Sequence, residues 1–101
     1  MATDPLFRMP IDDTFAIAGL GTVAAGHIAS GTLKVGDVVF VNTTSPDRRP
    51  GSTKTAVIGL QLGPAAVREA HQGDLVGVVL RGVKLEAIGV GDVLAATKLE
   101  A

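Results

Sequence analysis

Three Gly-Asp dipeptides, each directly before a pair of apolar residues, constrain this chain more than any other feature. Gly36-Asp37 precedes Val38-Val39, Gly73-Asp74 precedes Leu75-Val76, and Gly91-Asp92 precedes Val93-Leu94. Gly reaches the positive φ that a tight turn demands, and an Asp carboxylate accepts hydrogen bonds from nearby backbone N–H groups. The same turn chemistry thus launches three strands. Its irregular spacing argues against a solenoid repeat.

The rest of the chain reads as short strands between turns. Phe7, Met9, Ile11, Asp13, Phe15 and Ile17 alternate with polar or small residues, which predicts a first strand with one buried surface. Pro10 places part of that strand at an edge or a bend. Gly19-Leu20-Gly21 signals a turn before a second strand over 22–28, where Gly26 predicts a bend or a bulge. The run 38–41 predicts a buried strand, and 43–53 a polar loop with two Pro and one Gly. Further strands are predicted over 55–62, 75–80 and 93–95. Residues 65–70 read as one helical turn, since Pro64 suits a first helical position. The expected fold is all-β: a closed antiparallel β-barrel of about six or more short strands, closure being one way to remove vulnerable sheet edges.

Composition bounds what such a fold can do. With 101 residues, 47% hydrophobic and 19% charged, the chain supplies one core, and a single domain over 1–101 is expected. Three Phe and no Trp or Tyr leave the core to aliphatic side chains, and the Phe residues are expected there too. A formal net charge of -1 gives no long-range field to gather nucleic acid, so any RNA contact must be local. The absence of Cys removes disulfides and thiolate metal sites and fits a reducing compartment. With neither a signal-peptide pattern nor a run approaching the roughly 20 apolar residues of a membrane helix, the expectation is a cytoplasmic protein without membrane contact.

Catalytic and cofactor motifs are missing. Gly19-Leu20-Gly21 followed by Gly26 departs from the dinucleotide fingerprint in spacing and precedes strand rather than helix. The phosphate loop with its Lys is absent, so no GTP binding is expected. His27 and His71 lie in no metal-ligand spacing, Asp12 and Asp13 fall on opposite faces of a regular strand, and no Ser sits in a nucleophile elbow. A non-enzyme without cofactor or metal is the reading. Arg48-Arg49, with Lys54 nearby, forms the basic cluster, a candidate RNA-contacting loop.

Five ordered segments carry a family resemblance. Residues 7–15, FRMPIDDTF, resemble the FRMPIEDVF-type opening of the second, β-barrel domain of elongation factor Tu-like translational GTPases. Residues 19–26, GLGTVAAG, are similar to its GRGTVVTG segment, and 31–37 to its GxxKVGD/E turn. Residues 73–82, GDLVGVVLRG, are similar to GDNVGVLLRG, and 90–95 to the closing RGQVLA segment. The match runs from Pro5 to about Ala96.

The resemblance implies a non-catalytic translation-factor module that contributes to tRNA 3′-end or ribosome contact alongside a GTPase domain in cis or in trans; this chain holds no GTPase domain of its own. It places Asp12, Asp13 and Phe15 at the border of an aminoacyl pocket. Gln61 falls where the family has a Glu beside the terminal adenosine, keeping hydrogen-bonding capacity without the charge. Leu20, Gly63-Pro64 and Leu75 depart from the family's polar or basic residues. They support the alternative of a stand-alone protein-interaction or structural barrel that has lost the RNA site. Binding to DNA is not expected.

Overall fold

The computed structural model of the chain describes residues 6–43 and 51–97. The three Gly-Asp dipeptides form the same turn three times. Backbone N–H groups of Asp37, Asp74 and Asp92 donate to the carbonyls of Lys34, His71 and Gly89, at 3.1, 2.9 and 3.1 Å. Each Asp carboxylate then accepts the N–H of the residue three before it: Lys34 at 2.9 Å, His71 at 2.8 Å and Gly89 at 3.1 Å. Gly36, Gly73 and Gly91 have φ of 98°, 92° and 97°. No described residue other than Gly has positive φ, so Val35, Gln72 and Val90 exclude the mirror-image turn and leave type II.

Ten strands follow one another among the described residues: β1 (Arg8–Pro10), β2 (Asp13–Ile17), β3 (Gly21–His27), β4 (Thr32–Lys34), β5 (Val38–Thr43), β6 (Gly51–Leu62), β7 (Ala65–Val67), β8 (Glu69–His71), β9 (Leu75–Leu80) and β10 (Val93–Ala95). A 3-10 turn, Leu85–Ala87, lies between the last two. The main sheet runs β1-β10-β5-β6-β9-β3-β2, with β7 added to β6, while β4 and β8 form a separate pair. All pairings are antiparallel. Inward-facing Met9, Ile11, Leu33, Leu60, Leu80 and Leu94 are at most 1% exposed and form the centre of the core.

The sheet curls but does not close, which corrects the expected closed barrel to a curled half-barrel. Its end strands, β1 and β2, are not paired with each other. The seam explains why. Pro10 has no N–H to offer a ladder, and the backbone of Gly26 on β3 is pressed against it: a Cβ on Gly26 would stand 2.3 Å from the Pro10 carbonyl oxygen. On either side of that contact the crossing is limited to the Asp12 N–H to the Ala25 carbonyl, at 2.8 Å, and an isolated bridge between Arg8 and Ser30, and no continuous ladder forms. Gly26 therefore serves close approach rather than the predicted bulge, and it keeps regular register opposite Val76. The bulge lies on β6, between Val57 and Gly59, where that strand passes from pairing β5 to pairing β9.

Three more expectations are corrected. The single first strand is two, because the chain switches partner at Ile11-Asp12: β1 pairs β10, β2 pairs β3, and Ile11 N–H bonds the Asp92 carbonyl at 2.8 Å. Phe7, Met9 and Ile11 point inward, but Phe15 is 40% exposed. The helical turn over 65–70 is instead β7 and part of β8. Leu62 pairs Ala65 across a two-residue loop in which Gly63 has φ 60°. Positive φ first and Pro second fit a type II′ hairpin, so long-range pairing overrides the local preference of Pro64. Finally, β5 alternates instead of being buried throughout, with Val38 51% exposed and Val39 and Val41 at 1%.

Candidate RNA-contacting site

Strand register assembles one row across the outer face of the sheet: Gln61 on β6 faces Gly77 on β9, Gly77 faces Ala25 on β3, and Ala25 faces Asp13 on β2. The middle of this row is small side chains, and its neighbours are large. Phe15, Leu75 and Gln61 rise around a floor of Ala25 and Gly77 to form a hollow of about 210 Å³, with Gly63 and Val76 completing the wall. A Cβ on Gly77 would approach Val23 Cγ1 to 3.3 Å and Gln61 Cβ to 4.0 Å, so Gly77 keeps the floor low. Phe15 is held by ladder pairing with Val23, and Gln61 by pairing on both sides, with Gly77 and Ala66. Both sit on strands, which position side chains more firmly than loops do.

Of the residues nominated from the sequence, Phe15 and Gln61 are brought together here. Asp12 and Asp13 do not line the hollow. Asp13 accepts the Thr14 N–H at 2.9 Å, and Asp12 lies 3.7 Å from His27 Nδ1, both of that pair being 63% exposed. Across the row Asp13 stands three strand steps from Gln61, about 14 Å at the usual strand spacing. Leu75, 57% exposed, stands out in the sequence only as a departure from the family's polar residue, and Gly77 was missed as a site residue. Period-two alternation along β9 would have placed them together, had the run 75–80 been read as one-sided.

The predicted basic loop divides. Lys54 belongs to β6, where it pairs Phe40, and its side chain is exposed. Arg48 and Arg49 lie outside the described residues. A larger hollow, about 320 Å³, opens beside Leu6, Thr32, Asp37 and Val38. Size does not recommend it, because its carboxylate is committed: Asp37 already accepts the Lys34 N–H. Among the described residues no group of His, Asp or Glu side chains is placed to hold a metal ion, and no helix is long and apolar enough to cross a membrane.

The turn-launched strands, their order and their segment matches point one way, and a family model decides it: the model of elongation factor Tu domain 2 matches residues 21–95. The chain belongs to the elongation factor Tu domain 2 family. It is therefore a translation-factor type of domain, and the fold it adopts is an open, curled variant of the barrel expected for that family. The matched span includes every lining residue of the hollow except Phe15, and begins after Asp12, Asp13 and Phe15.

Proposed function

We propose that this domain is a non-catalytic module that receives the terminal adenosine of an aminoacylated tRNA 3′ end in the Phe15–Gln61 hollow, alongside a GTPase domain that completes the site. The observation that carries this reading is the convergence of Phe15 and Gln61, distant in sequence, on one hollow with an Ala-Gly floor. An exposed aromatic face stacks on a base, and a carboxamide offers both donors and an acceptor to a base edge or ribose. The hollow is below the usual range of pockets for drug-sized ligands, which suits a single base. With no carboxylate or cation lining it, affinity has to come from stacking and neutral hydrogen bonds, so the domain alone binds weakly. Contact with the ribosome belongs to the same reading.

Fluorescence anisotropy with a labelled aminoacylated acceptor stem tests it. The expected dissociation constant for the isolated chain is about 100 μM or weaker at physiological salt, within the non-specific range, and sensitive to Gln61→Ala. Titration curves identical for the two proteins count against the hollow. A second reading, a protein-interaction barrel, draws on the exposed apolar rim: Phe15 at 40%, Leu20 at 41% and Leu75 at 57%. Under it, Leu75→Ser weakens a protein complex while Gln61→Ala leaves it intact.

A further inference from the structure

We infer that the outer face of β1, β10, β5 and β6 is a second contact surface, one that takes a segment of single-stranded RNA. Ladder register sets out another row there: Arg8 on β1 faces Ala95 on β10, Ala95 faces Phe40 on β5, and Phe40 faces Lys54 on β6. Residues facing one another across antiparallel strands project to the same side of a sheet. Arg8 and Lys54 are exposed, Phe40 is half-buried, and Ala95 between Arg8 and Phe40 is buried. Phe40 is absent from the core cluster that takes in its neighbours Val39 and Val41. The row thus carries two cations flanking an aromatic ring over about 14 Å, at the usual strand spacing.

Charge is segregated around this face. The sequences of these four strands, RMP, VLA, VVFVNT and GSTKTAVIGLQL, hold Arg8 and Lys54 and no carboxylate. Of the described carboxylates that flank these strands, Asp37 before β5 and Asp92 before β10 are turned back onto the Lys34 and Gly89 N–H groups, and Asp12, two residues after β1, lies 3.7 Å from His27 Nδ1. Arg81 extends the basic edge. Its N–H donates to the Ala56 carbonyl at 3.0 Å, beside Lys54, and its own carbonyl accepts the Thr55 hydroxyl at 2.6 Å. Among the described residues none of Arg8, Lys54 and Arg81 has a carboxylate at ion-pair distance. A net charge of -1 therefore hides a locally cationic surface.

An aromatic ring between cations is the arrangement that holds an unpaired strand, with bases stacking on the ring and phosphates meeting the charges. A duplex hides its base faces, so Phe40 favours single strands. RNA rather than DNA follows from the translation-factor reading, on which this inference rests for that choice alone.

The test uses the full chain and a labelled ten-residue oligouridylate, which carries no acceptor end and so does not engage the hollow. Anisotropy at low salt is expected to show binding that Arg8→Glu with Lys54→Glu weakens by about tenfold or more. Two lost contacts should also flatten the salt dependence, log K against log salt, by about 1.4, at roughly 0.7 per phosphate on a single strand. Phe40→Leu, which keeps an apolar side chain, is expected to weaken binding about threefold or more by removing the stacking face. Gln61→Ala should change nothing, and circular dichroism establishes that the variants keep the fold. Absence of binding by the parent chain, equal binding by the charge-reversed variant, or loss on Gln61→Ala each overturns the proposal. The last of these moves the RNA to the hollow, so failure here and failure of the adenosine reading are told apart.

Discussion

The two arcs of the sheet share one inner face and differ on the other. Along β9, β3 and β2 this side carries Leu75, Gly77, Ala25 and Phe15, with Val23 and Val79 buried beside them and His27 and the Asp12-Asp13 carboxylates at one end. Along β1, β10, β5 and β6 they include Arg8, Phe40 and Lys54. Inward residues of both arcs are mainly apolar, with Thr22 and Thr55 buried among them, and the apolar ones join a single core. The comparison teaches that alternation on these strands separates two tasks. Inner positions hold the fold, whereas the outer positions of the two arcs differ in chemistry, one a neutral hollow and the other bearing exposed cations.

The seam between the arcs is where the largest effect is expected. Gly26→Val forces a Cβ into the Pro10 carbonyl, a backbone group that cannot step aside as a side chain does. A loss of roughly 3 kcal/mol, the upper end for overpacking, is predicted by urea unfolding. A change under about 1 kcal/mol would mean that the arcs are not held at this seam.

Next come the three matched turns, which differ in burial. Asp92 is 0% exposed, and its turn grips the point where β1 hands over to β2, through Gly91 N–H to the Ile11 carbonyl at 3.0 Å. Asp74 is only half-buried. Removing a carboxylate orphans the N–H it accepts, and the cost grows with burial, so Asp92→Ala is expected to cost about 2–3 kcal/mol and Asp74→Ala about 1 kcal/mol. Equal losses would show that the turn alone matters and not its setting.

These turns were also the most legible part of the sequence, because Gly at a positive-φ position and Asp beside it are local requirements. The strands they launch begin where the Gly-Asp pairs end, and β9 and β10 fall over the predicted 75–80 and 93–95. What was not legible depended on partners far along the chain. Residues 65–70, Ala-Ala-Val-Arg-Glu-Ala after Pro64, accept a helical turn until β6 offers Leu60, Gln61 and Leu62 as ladder partners. The Gly63-Pro64 dipeptide did carry a hairpin signal that the helical reading passed over. Closure follows from short strands and tight turns as one way to remove sheet edges, and it fails at a contact no local pattern announces, Gly26 pressed against the Pro10 carbonyl. The site was half legible: Phe15 and Gln61 meet, Asp12 and Asp13 stand apart, and Gly77 becomes visible only once β9 is laid against β6.

The smallest stability effect is predicted within the hollow. Gly77→Ala adds one methyl at 3.3 Å from Val23 Cγ1, a contact a side chain can relieve, so unfolding free energy should shift by no more than about 0.5 kcal/mol. The same methyl raises the floor between Phe15 and Gln61, and binding of an adenosine ligand should fall. If stability drops sharply instead, Gly77 serves the fold, and the contrast between inner and outer positions loses its best example.

The adenosine hollow is most directly tested by nuclear magnetic resonance titration of the isotope-labelled chain with an aminoacyl-adenosine at millimolar concentration. The account predicts shifts confined to the backbone amides of Phe15, Ala25, Gln61, Gly63, Leu75 and Gly77, lost in Gln61→Ala. Shifts clustered instead around Leu6, Thr32 and Val38, or none at all, would contradict it.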